Sequence, residues 1–167
     1  MSAQFLRGGL KLKLVITTFK NISANRTNDE GDIVVLMEWT SAFSVDIESI
    51  DTQHKKLLGY MNTLYDALTE KKEREILEQI FHDLDEYTKT HFTLEEKYFD
   101  KFNYKGKDAH VIQHKEFIRR LGEMKKQITE DCEDVEDLLE FLVNWLIHHI
   151  KGTDHMYVEC FHEHGVK

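Results

Sequence analysis

THFTLEEKYFD, residues 90–100, sets His91 and Glu95 four positions apart, with Phe92, Leu94, Tyr98 and Phe99 around them. On a helix, residues four apart stand one above the other on the same face. The aromatics mark that face as inward. Either the imidazole and the carboxylate satisfy each other in a core, or both aim at a third group.

Working outward, four segments repeat their apolar residues with helical period. The first spans about 46–68, striped by His54, Leu57, Leu58, Met61, Leu64, Tyr65 and Leu68. The second, about 74–102, carries Leu77, Ile80, Phe81, Leu84, Tyr87, His91, Glu95, Phe99 and Phe102. NYKGKDA interrupts it as a glycine turn. The third, about 108–129, carries His110, His114, Phe117, Ile118, Leu121, Met124 and Ile128. After the acidic connection EDCED, the fourth covers about 135–150, with Leu138, Leu139, Leu142, Trp145, Leu146, His149 and Ile150. Long amphipathic helices on short connections favour antiparallel neighbours. The expected fold is all-α, an up-down-up-down four-helix bundle with an N-terminal arm that Trp39 and Phe43 pack over the bundle.

Composition agrees. The 167 residues suffice for one compact domain, and 41% hydrophobic content supports a core. There is no proline, which suits unbroken helices. A net charge of −9 argues against nucleic-acid binding and against a basic membrane-binding surface. No apolar run reaches the roughly 20 residues of a membrane span. Two cysteines, Cys132 and Cys160, make no disulfide framework and point to a reducing cytoplasm. Acidic neighbours argue against a reactive thiolate at Cys132.

Residues 1–36 differ from the rest. The first 28 hold five basic residues and no acid, and KLKLVITTF alternates weakly like a short strand. This stretch lacks the features of a signal peptide. Met37 reads as the natural start and 1–36 as an atypical extension, with a regulatory or targeting tail as the alternative. Residues 37–167 form the functional domain.

The decisive feature lies in the stripes. Each helix places a histidine where leucine is expected: His54; His91 with Glu95; His110 with His114; His149. Asp154 follows in HHIKGTD. A lone HxxxH is weak evidence for a metal, and His91–Glu95 alone fits an ion pair. Four helices burying unpartnered imidazoles together is costly, and a shared metal removes the cost. Five imidazoles and two carboxylates exceed a tetrahedral zinc site, are too nitrogen-rich for calcium or magnesium, and include no thiolate. With both carboxylates bridging and one bridging oxygen, they fill two six-coordinate metals except for one position, pointing to a pair of irons.

The segments EWTSAFSVDIESIDTQHKKLLGYMNTL, HFTLEE, HVIQHKEF and WLIHHIKGTD resemble those of hemerythrins, in particular single-domain bacteriohemerythrins, over about 38–157. The resemblance implies that His110, His114 and His149 hold one iron, that His54 and His91 hold the other, and that Glu95 and Asp154 bridge them with an oxo or hydroxo group. Five residues before the aspartate selects His149 over His148. Leu57, Phe92, Trp145, Leu146 and Ile150 match the family's apolar oxygen pocket, and each equally fits ordinary core packing. The implied function is reversible dioxygen binding for carriage, storage or delivery, without enzymatic turnover, with oxygen held as hydroperoxide on the five-coordinate iron. A di-iron peroxide scavenger, or a sensor of oxygen, redox state or iron, is the alternative. Tyr157 is expected to pack. His155, His162 and His164 read as a solvated helix end, with a peripheral metal site including Cys160 as the less favoured reading.

Overall fold

The computed structural model describes residues 36–131 and 134–167. The expectations for residues 1–35, including the alternating segment, and for Cys132 lie outside the described residues. After a single 3-10 turn at Ser41–Phe43 come α1 (Glu48–Glu70), α2 (Glu73–Phe102), α3 (Lys107–Asp131) and α4 (Val135–Trp145). From Leu146 to Thr153 the fourth helix continues with π geometry, then passes through a 3-10 turn, Asp154–Met156, into α5 (Val158–Glu163). α1 packs on α2, α2 on α3 and α3 on α4, and α4 closes the ring against α1. This is the expected four-helix bundle.

Helix ends follow from local chemistry. α1 and α2 each stop at a left-handed residue, Lys71 (φ 59°) and Asn103 (φ 52°). In both, the next N–H reaches back five residues: Lys72 to the Ala67 carbonyl at 2.8 Å, Tyr104 to that of Phe99 at 3.0 Å. The turn in NYKGKDA is therefore made by Asn103, not by the glycine. Gly106 serves a different purpose, because a Cβ there would meet the Tyr104 ring at 2.5–2.7 Å. Ile118, expected on the inward stripe, is 50% exposed. It sits one position past Phe117, about 100° off the stripe.

Two apolar clusters fill the interior. The larger contains Leu57, Met61, Leu84, Tyr87, Phe92, Phe117, Leu146 and Ile150. The smaller gathers Val45, Ile47, Ile50, Phe99, Phe102, Tyr157 and Phe161. The arm is fixed at both ends. Asp51 accepts from the Ser44 hydroxyl and from the Val45 N–H at 2.9 Å, and Asn62 exchanges two 3.0 Å bonds with the Met37 backbone. Phe43 is buried, and Trp39 packs 6.0 Å from it and 6.4 Å from His54.

Candidate metal centre

Between the two clusters the bundle carries a layer of buried polar residues: His54, His91, Glu95, His110, His114, His149 and Asp154. All seven predicted site residues meet here. They arrive from inward positions near the N-terminal ends of α1 and α3, in the C-terminal half of α2, and in the π segment and 3-10 turn that follow α4. Antiparallel packing brings those ends together.

The seven divide into two overlapping groups. Glu95, His110, His114 and His149 form one; His54, His91, Glu95 and Asp154 form the other. Glu95 faces both, with Oε1 3.7 Å from His91 Nε2 and Oε2 3.1 Å from His114 and 3.4 Å from His110. Asp154 does the same: Oδ2 lies 3.3 Å from His54 Nε2, and Oδ1 lies 3.3 Å from His110 and 3.2 Å from His149. Among the described residues, none of the five Nε2 atoms finds a hydrogen-bond partner, nor do Glu95 Oε2 and the Asp154 oxygens. So many orphaned polar atoms around one point mark a place built for a cation.

Asp154 reaches the layer because of the π segment. In an α-helix, five residues turn through about 500°, leaving Asp154 roughly 140° away from His149. At roughly 4.4 residues per turn, π geometry cuts that to about 50°.

Neighbouring helices set the ring orientations. His91 Nδ1 meets Gln53 Oε1 at 3.0 Å, His114 Nδ1 meets Glu96 Oε1 at 3.0 Å, and His149 Nδ1 meets Gln113 Oε1 at 2.8 Å. Each acceptor fixes the proton on Nδ1 and leaves the Nε2 lone pair facing inward, the form a metal requires. Gln113 also accepts from the Thr153 hydroxyl at 3.2 Å. Tyr157 Oη donates to Glu95 Oε1 at 2.5 Å. Sequence reasoning missed these supports. The available signal is adjacency: Gln53, Glu96 and Gln113 each stand next in sequence to a site residue, rotated about 100° toward the next helix.

The electrostatics suit the same end. Burial pulls His54 down to about 4 and His91 to about 3, against the raising influence of Glu95. It also holds His149 well below its ordinary range. At His110, burial is outweighed by Asp154 and Glu95, and its pKa is raised. Burial acts to raise Glu95, yet the facing imidazoles hold it well below the carboxylate range. Burial and the neighbouring Glu95 push Asp154 well above. Two carboxylates confined together without a cation share the cost of their charge by protonating one.

Aromatic rings cover the layer. Phe92, expected beside His91, stacks on His114 at 3.9 Å and lies 5.6 Å from His91. Trp145 stacks on His149 at 3.7 Å. Leu57, Leu146 and Ile150 are fully buried in the larger cluster. His148 is exposed, outside the layer. Among the C-terminal histidines, His164 Nδ1 meets the Cys160 carbonyl at 2.8 Å and His162 lies 3.3 Å from the Asp46 carbonyl. None of them joins either of the two groups described above.

A family profile described as the hemerythrin HHE cation binding domain matches residues 45–161. The chain belongs to the hemerythrin family. It is 34% identical over 123 residues to a bacteriohemerythrin of Pseudomonas paraeruginosa, covering 73% of this chain and 79% of the relative. With a bacteriohemerythrin of Clostridium acetobutylicum it shares 31% over 127 residues, 72% of this chain and 98% of the relative. A myohemerythrin of Theromyzon tessulatum is 29% identical over 120 residues, 72% and 89% respectively. Hemerythrin domains bind a di-iron centre, and the two His/carboxylate groups of this chain are able to hold metal ions. The relatives support a hemerythrin-type, oxygen-binding di-iron function. No helix among the described residues is long and apolar enough to cross a membrane.

Proposed function

We infer that this hemerythrin binds dioxygen reversibly at a di-iron centre. His110, His114 and His149 would hold one iron, His54 and His91 would hold the other, and Glu95 and Asp154 would be shared between them. The observation that carries this reading is the asymmetry of the two groups. Both carboxylates face both sides, but three imidazoles serve one side and only two the other. Equal coordination of two metals then leaves one position open, beside His54 and His91.

When bound, the irons supply the electrons that dioxygen takes up and returns. The remaining work falls to the chain. Gln53, Glu96 and Gln113 hold three imidazoles in their metal-facing tautomer. Tyr157 fixes one Glu95 oxygen and leaves Oε2 toward His110 and His114. Leu57, Leu146 and Ile150 form an apolar lining on the larger-cluster side that excludes water, which favours release of oxygen unchanged over loss of a reduced product. A donor set of five imidazoles and two carboxylates carries fewer anionic ligands than the Glu-x-x-His pattern of di-iron carboxylate proteins, which supports binding over oxygen cleavage.

Metal analysis and optical spectroscopy test this. The expected result is two irons per chain and a visible band that appears with oxygen and disappears under vacuum over repeated cycles. One metal per chain, or a band that never reverses while peroxide is consumed, refutes the reading.

A further inference from the structure

Two tyrosines approach the metal layer, one from each apolar cluster, and their hydroxyls differ. Tyr157, from the smaller cluster, donates to Glu95. Tyr87, from the larger, stands one turn before His91 on α2 and stacks on its ring at 4.8 Å. It is 4% exposed, and among the described residues its hydroxyl has no hydrogen-bond partner. The indole Nε1 of Trp145 is buried and unpartnered too. It faces the Tyr87 hydroxyl without reaching hydrogen-bond geometry.

Both orphans thus belong to the side that holds Leu57, Phe92, Leu146 and Ile150, and Tyr87 lies against the histidine of the group with fewer imidazoles. A fold that only needed to fill this space would use phenylalanine at position 87. A stacked, fully enclosed phenol with nothing to donate to is explained by an acceptor that arrives with a ligand.

We propose that the Tyr87 hydroxyl, assisted by the Trp145 indole N–H, donates a hydrogen bond to the outer atom of a small ligand at the open position, and so selects ligands whose outer atom carries a lone pair. Small anions such as azide are the class it recognises best. The proposal rests on the di-iron reading above. Tyr87 is a specificity-determining residue in it and not an iron ligand.

Azide titration of the di-ferric protein separates the two claims. An azide-to-iron charge-transfer band supports the di-iron reading, and its absence at every azide concentration removes that reading and this proposal with it. Given the band, Tyr87→Phe raises the azide Kd by about tenfold or more, the worth of a hydrogen bond to a charged acceptor. In the parent, the infrared stretch of bound azide shifts on transfer to D2O, and Tyr87→Phe abolishes the shift. Iron content stays at two per chain, and the metal-free thermal midpoint does not fall, because the lost hydroxyl reaches hydrogen-bond geometry with none of the described residues. An azide affinity within twofold of the parent, with the D2O shift intact, overturns the proposal. If Tyr87→Phe does not fold, Tyr87→3,5-difluorotyrosine keeps the ring and makes a stronger donor. Tighter azide binding then supports the proposal, and unchanged or weaker binding refutes it.

Discussion

Deleting Gly152 tests the role of the π segment. Gly152 is exposed, and nothing lies within 4 Å of where its Cβ would be. Its removal leaves His149 and Asp154 four residues apart. Four steps of an α-helix turn through about 400°, so the two side chains end roughly 40° apart, near the 50° of the π form. The carboxylate keeps its place beside His54, His110 and His149, now 3.2–3.3 Å away. A mid-helix glycine is about 0.5–1 kcal/mol less favourable than alanine, so the segment loses no good helix former. The deletion variant is therefore expected to hold two irons per chain and to match or exceed the parent in urea denaturation of the metal-free form. Inserting an alanine after Gly152 has the opposite effect. Six α steps leave Asp154 about 120° off the face, and π geometry leaves it equally far away. Iron content then falls below two. A folded deletion variant that cannot hold two irons, or an insertion variant that binds them normally, refutes the argument.

Gln113→Leu removes the acceptor of His149 Nδ1 and is expected to weaken iron binding by about 10–100-fold with the fold intact, measured by chelator competition; unchanged retention refutes the orienting role. The metal-free protein is expected to lose stability toward acid. The folded pKa values of His54 and His91 are depressed to about 4 and 3, so below about pH 6.5 the unfolded chain takes up protons that the folded chain refuses. Stability is full above that pH and declines toward pH 4. Glu95 acts in the same direction at lower pH, while the raised Asp154 and His110 oppose it. The net change is on the order of a few kcal/mol, read from urea midpoints; a midpoint that is flat or rises toward acid contradicts it. We also propose that the functional domain begins at Met37. A chain shortened to Met37 is expected to keep its helicity and two irons, since the Asn62 bonds to Met37 remain available, and loss of either refutes this division.

Much of the site was legible because ligands on inward faces obey the same period as the leucines they replace. His54, His91, His110, His114 and His149 announce themselves as polar interruptions of apolar stripes. Asp154 was harder: a five-residue interval fits no α-helical face, and only the π turn gives it meaning. The stripe also concealed something. Tyr87 reads as one more aromatic core residue, and periodicity says nothing of whether its hydroxyl is satisfied. At 103–106 the glycine looked like the turn residue, but asparagine also tolerates the left-handed region, and the glycine answers to the Tyr104 ring. Gln53, Glu96 and Gln113 offered only their adjacency to site residues, for a geometric reason. Their partners are on another helix, and a linear pattern does not record which helices are neighbours.

Those three residues have a consequence for assembly. α1 steers an imidazole of α2, α2 steers one of α3, and α3 steers one of α4. For these three histidines the Nδ1 acceptor comes from the preceding helix and not from their own. An isolated pair of neighbouring helices therefore steers only one of these three imidazoles, and all three are aimed only when the four helices are packed together. The aim of these three donors thus acts as an inspection of completed tertiary structure, passed only when each helix has its neighbour in position.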